Sequence, residues 1–136
     1  MPDELVGQWV EKAEEDWIGI SRLRVGDLAQ VADPVAFLAQ QCAEKYLKAL
    51  IQQEGVEPPR HHHLSVLLDI LLPVHPDLEG TRVACERLTP YAVGFRYPGE
   101  KATGKEAEEA IGLASHIRSA IRLKLGLIDD PSANGI

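Results

Sequence analysis

Leu64, Leu67, Leu68, Leu71 and Leu72 recur at i, i+3, i+4, i+7 and i+8, and this spacing puts five leucines on one side of a helix. The same period recurs along most of the chain. Leu5, Trp9, Ala13, Trp17, Ile20 and Leu23 make a first long stripe, and Ala110, Ala114, Ile117, Ile121 and Leu125 make a last one. No segment alternates with the period of two that a half-buried strand requires. A chain written this way buries its apolar faces helix against helix.

Punctuation residues mark where the helices stop. Asp33-Pro34 reads as a helix start, with Asp as cap and Pro in the first turn. That second helix runs to about Glu54, where Gly55 stops it. Pro73 ends the leucine face, a shorter helix is predicted from Pro76 to Leu88, and Thr89-Pro90 breaks it. Gly94 to Gly104 reads as a loop. Thr103 and Glu106 fit a capping box ahead of the last helix. Gly126 ends that helix, and Asp129 to Ile136 is a small, polar, Gly- and Pro-containing tail. The prediction is an all-α antiparallel bundle of four main helices plus a short helix over residues 1–127, with a flexible tail over 128–136.

At 136 residues the chain suits one domain with a single core. A net charge of −7 argues against a general coater of DNA or RNA, whose affinity comes from neutralising phosphates. It leaves room for a local basic site, because charges act over a Debye length of about 8 Å, and it favours a basic protein partner. No apolar run reaches the roughly 18 residues that span a bilayer. The opening Pro2-Asp3-Glu4 is acidic, unlike the start of a signal peptide, so a cytoplasmic protein is expected. Cys42 and Cys85 form no paired motif and read as reduced, buried thiols. Trp9, Trp17, Phe37 and Tyr46 are large for a small bundle, and each suits either the core or a subunit interface.

The densest polar set lies on the second helix. Gln41, Lys45 and Lys48 share a side, and Glu44 precedes Lys48 by four, the favourable order for an ion pair. Four segments in order carry a family resemblance. Gln41-x-x-Glu44-Lys45-x-x-Lys48-Ala49-Leu50 resembles the second-helix signature of the HEPN domain. Ala13-Glu14-Glu15-Asp16-Trp17 is similar to that family's first-helix pattern. Pro59-Arg60-His61-His62-His63-Leu64 resembles a loop that reads His-Asp-Leu in many members, and Arg96-Tyr97-Pro98 resembles an Arg-Tyr-Pro ahead of the last helix. Together they cover roughly residues 4 to 127. The resemblance implies a small all-helical module, often a two-fold homodimer.

Many proteins of that family are metal-independent ribonucleases. Their mark is an Arg followed by His after four to six intervening residues on the last long helix. Every Arg of this chain fails that spacing, and His116 is followed by Arg118 and Arg122 rather than preceded by an Arg. The resemblance therefore points to a non-nuclease partner of a minimal nucleotidyltransferase, in a toxin–antitoxin-like pair. There Gln41, Glu44, Lys45, Lys48, His62, Arg96 and Tyr97 would face a nucleotide or RNA. An Arg fork suits phosphate, and a Tyr ring stacks on a base. Two alternatives stand beside it. One is a ribonuclease with an atypical site, using His62 or His116 for acid–base work and Arg96 as phosphate clamp. The other is a purely structural dimeric scaffold.

Simpler readings apply to the same residues. His61-His62-His63 diverge along the chain, whereas helical zinc ligands sit at i and i+4, so no metal is expected. His62 aligns with the family's His, while His63 replaces its Asp and removes one carboxylate partner. The imidazoles then cap the next helix or sit in solvent. Arg96 alternatively bonds helix-end carbonyls or pairs with Glu44 or Asp16. Glu14, Glu15 and Asp16 read as a solvated helix face. No phosphate-binding Gly loop, nucleophile elbow or cofactor motif is present, and no cofactor is expected.

Overall fold

The computed structural model describes residues 2–93 and 97–127. Among these residues there are five α-helices and no strand. They are α1 (Pro2–Leu23), α2 (Ala32–Gln53), α3 (Leu64–Leu71), α4 (Arg82–Leu88) and α5 (Gly104–Lys124), with short 3-10 turns at Leu28–Val31, Pro76–Thr81 and Thr89–Ala92. The bundle is all-helical, as the periodicity predicts; α1 runs antiparallel to α2 and α5, whereas α2 and α5 run parallel, with Asp33 meeting Ala102 near both starts and Tyr46 meeting Arg122 toward both ends. The predicted tail, residues 128–136, lies outside the described residues.

Helix α2 is the axis of the bundle. It packs along both α1 and α5, with α3 also packed against it. The sequence permits close approach because α2 presents Ala32, Ala36, Ala39 and Ala43, all buried, while α5 presents Ala107, Ala110 and Ala114. Small side chains let helix axes come together, and the larger Leu47, Leu50, Ile51, Ile117 and Ile121 fill the space beyond. The α3 leucines at 64, 67, 68 and 71 are all buried. Leu5, at the start of the α1 stripe, is 48% exposed and lines an open cleft instead of the core. Of the large aromatics, Trp17 and Tyr46 are core, Trp9 is half-buried, and Phe37 is 43% exposed.

Local signals settle most ends. Glu54 caps α2 through its backbone, and Gly55 follows at φ 81°, a left-handed angle that favours glycine. Gly126 plays the same part after α5, at φ 74°. Three ends differ from the sequence reading. Helix α2 begins at Ala32 with no side-chain cap, and Asp33 instead accepts a hydrogen bond from the Ala102 N–H at 2.6 Å, tying the approach to α5 onto α2. The stretch Pro76 to Leu88 is a 3-10 turn followed by a two-turn α-helix, not one helix. The first turn of α3 is capped by neither His62 nor His63. The Thr89 hydroxyl reaches across to accept from the Leu64 N–H at 3.1 Å while donating to the Cys85 carbonyl at 2.8 Å.

The Thr103 capping box is present in both directions: the Thr103 hydroxyl accepts from the Glu106 N–H, and the Glu106 carboxylate accepts from the Thr103 N–H, each at 3.0 Å. Thr103→Ala removes one of these bonds and is expected to cost about 1 kcal/mol, or roughly 3–5 °C in melting temperature for a domain of this size. Circular-dichroism melting measures it. A change below about 1 °C would show that the Asp33–Ala102 tie alone holds this end.

Candidate functional site

The polar residues of α2 divide between two neighbouring networks. Glu44 centres the first. It is 4% exposed, and all its partners are donors. One carboxylate oxygen accepts from the Gln40 amide at 3.1 Å and from His62 Nδ1 at 2.8 Å, and the other accepts from Lys48 Nζ at 3.0 Å. Gln40 and Lys48 arrive through helical spacing of four on either side of Glu44. His62 arrives from the loop ahead of α3, and the Gln40 amide also donates to its carbonyl at 3.1 Å. Burial pushes the Glu44 carboxyl up, but the hydrogen bonds from His62, Lys48 and Gln40 outweigh it and hold its pKa below the ordinary value.

The geometry supplies His62 with a carboxylate that the loop sequence alone does not. With Nδ1 donating to Glu44, the ring is fixed in orientation and Nε2 remains for other work, on a side chain that is 59% exposed. A carboxylate-oriented imidazole is the arrangement used for proton transfer. The Lys48 ammonium, only 8% exposed as a side chain, also sits over the Trp9 ring, 5.7 Å from its centre. Trp9, with Lys48, Gln52 and Arg60, lines a cleft of about 760 Å³ between α1, the end of α2 and the following loop.

The second network joins α1, α2 and α5. Glu14 receives both arms of the Arg118 guanidinium at 2.8 Å and the Tyr46 hydroxyl at 2.5 Å, and Tyr46 in turn accepts from Arg122 at 3.0 Å. Arg118 is 2% exposed and lies 5.0 Å from the Trp17 ring centre. Burial alone would raise the Glu14 carboxyl, but Arg118 and Tyr46 hold its pKa down. Asp16, beside it on α1, pairs with Lys45 at 2.7 Å, yet burial keeps its pKa raised. Glu14 and Asp16 are thus partly buried and committed to partners; only Glu15 stands as the solvated face that the sequence suggests. Burial pushes the Cys85 thiol up to about 11 and the Cys42 thiol further, so both are held as neutral thiols.

The site residues read from the sequence are therefore distributed. Glu44, Lys48 and His62 come together. Lys45 turns to α1, and Gln41 donates to the Gln40 side chain at 2.7 Å. Tyr97 is 69% exposed, with its N–H on Glu100, and Arg96 lies outside the described residues. His116 is exposed, and its Nε2 reaches the Gly80 carbonyl at 3.3 Å. Among the described residues no three His, Cys, Asp or Glu side chains converge as metal ligands, and no described helix is long and apolar enough to cross a membrane. Sequence reasoning missed Gln40, Trp9, Glu14 and Arg118. The first has a local signal, its position four before Glu44; the Glu14–Arg118 pair spans 104 residues and has none.

Comparison with solved structures finds two matches that share the fold over most of the chain. The crystal structure of TT1696 from Thermus thermophilus superposes with a TM-score of 0.72 at 29% identity, covering 88% of this chain and 97% of that one. ST0689, described as an archaeal HEPN homologue, superposes with a TM-score of 0.70 at 27% identity, covering 88% and 96%. A search of curated proteins finds no match. The family model for the HEPN domain matches residues 6–124, nearly the whole bundle. This chain belongs to the HEPN domain family.

Proposed function

We propose that this chain is a HEPN binding module without nuclease activity, acting in the cytoplasm as a homodimer beside a minimal nucleotidyltransferase in a toxin–antitoxin-like pair and engaging nucleotide or RNA. The observation that carries the non-nuclease part is the fate of the last-helix basic residues. Arg118 is buried in a bidentate pair with Glu14, and His116 points to the Gly80 carbonyl. A guanidinium locked to a scaffold carboxylate is not available to clamp a phosphate. The binding part is supported by the Glu44 cluster, which holds Lys48 on the wall of the cleft and orients the His62 ring.

One observation favours the second reading, a ribonuclease with an atypical site: the Glu44–His62 pair orients an exposed imidazole as a proton-transfer group. Incubation of the protein with labelled oligoribonucleotides in EDTA, beside a His62→Ala, Arg96→Ala variant, separates the two. Intact RNA in both samples, with a nucleotidyltransferase captured from native lysate, is the expected result. Cleavage by the parent and not by the variant would overturn the binding-module reading.

A further inference from the structure

We propose that the cleft beside Trp9 is a nucleoside monophosphate site, with the base stacked on the indole and the phosphate held by Arg60 and Lys12. The proposal rests on the nucleotide-binding reading above and gives it a location away from the last helix. The cleft has a volume of about 760 Å³, inside the roughly 300–1,000 Å³ typical of small-molecule sites. Its wall carries an aromatic side chain, Trp9, and three cationic side chains, Lys12, Lys48 and Arg60, against one carboxylate, Glu57.

The distribution of charge runs against the rest of the molecule. The chain as a whole is −7, yet this wall is net basic. Lys48 is neutralised by Glu44 and serves to hold the Trp9 ring through its ammonium. Arg60 has no carboxylate partner among the described residues, and Lys12 meets only Glu15 at 4.0 Å, with both side chains more than half exposed. Such an exposed pair is screened and leaves Lys12 open to a stronger anion. Two available cations opposed by Glu57 suit one phosphoryl group rather than a polyphosphate. An indole and a guanidinium fork lining one cleft are the two groups needed to stack a base and to bind its phosphate. Gln52, on the same wall, offers an amide for a base edge.

The monophosphate can be free or can be the 5′ end of an RNA strand, and the test separates these. Binding of AMP, adenosine, inorganic phosphate and two short oligoribonucleotides, one 5′-phosphorylated and one 5′-hydroxyl, is measured by equilibrium dialysis and by tryptophan fluorescence. AMP is expected to bind more tightly than adenosine or phosphate alone. Tighter binding of the phosphorylated oligonucleotide than of AMP would assign the strand end as the source. Trp9→Ala is expected to weaken AMP by about 5- to 150-fold, the range for loss of one stacked base. Arg60→Glu, a change on an exposed loop that leaves the core untouched, is expected to weaken AMP at least tenfold and adenosine little. AMP binding unchanged in both variants would overturn the assignment of the cleft while leaving nucleotide binding in place. No binding of AMP or phosphorylated strand by the parent at millimolar concentration would overturn the cleft outright. The pairing with a nucleotidyltransferase is read separately, by capture from lysate.

Discussion

Arg118→Ala is expected to lower the melting temperature by about 10 °C, corresponding to roughly 3 kcal/mol for a largely buried pair deprived of one partner. The guanidinium is 2% exposed and makes two bonds to Glu14, so its removal leaves that carboxylate with only the Tyr46 hydroxyl and the more distant Arg122, 4.0 Å away, inside the three-helix junction. It also removes the cation stacked on Trp17. Arg118→Lys keeps the charge but loses the planar fork, and is expected to recover about half of the loss. The double variant Arg118→Met, Glu14→Leu removes both charges and is expected to be more stable than Arg118→Ala alone, as replacing a whole buried pair commonly is. Thermal and urea unfolding of the four proteins measure the coupling. A loss below about 3 °C in Arg118→Ala would mean that water screens the pair and that Arg118 is free for another role.

The fold was largely readable because its information is local. The leucine spacing of α3, the alanine and isoleucine stripe of α5, Gly55, Gly126 and the Thr103–Glu106 box each act within one or two helical turns. Helical registers of this kind follow directly from residue type and spacing. The ends that went differently depend on distant partners. Asp33 is drawn from capping by the Ala102 N–H, and Thr89 caps a helix 25 residues earlier in the chain.

The candidate site was legible in part for the same reason. Glu44 and Lys48 meet because they are four apart on one helix, and the sequence says so. That His62 completes the cluster depends on how the loop after α2 returns over that helix, which no spacing encodes. Lys45 shares a face with Lys48 by spacing, but α1 supplies Asp16 at 2.7 Å and turns it the other way. Glu14 reads as a surface acid until α5 brings Arg118 onto it.

Glu44→Ala is expected to be as damaging as Arg118→Ala, costing about 3–4 kcal/mol, because it leaves the buried Lys48 ammonium without a counter-ion. The Gln40 amide keeps the His62 carbonyl as acceptor, so the loss falls mainly on Lys48 and on the orientation of His62. Adding Lys48→Met to Glu44→Ala removes the stranded charge and is expected to restore a large part of the stability. The pH dependence gives a second readout. The folded pKa of Glu44 lies below its ordinary value of 4.5. Between the two values the unfolded chain binds the proton and the folded chain does not, so the contribution of this carboxylate is complete above about pH 5 and is lost as pH falls through the folded value. Glu14 is shifted the same way, whereas Asp16, raised by burial, works in the opposite direction over the acid range. Glu44→Gln is therefore expected to flatten, not abolish, the acid limb of urea midpoints measured from about pH 3 to pH 7. An unchanged acid limb would mean that Glu44 is not ionised against Lys48 and His62. The cleft would then lose the ion pair that holds Lys48 over Trp9, and with it the physical basis for a preformed stacking surface.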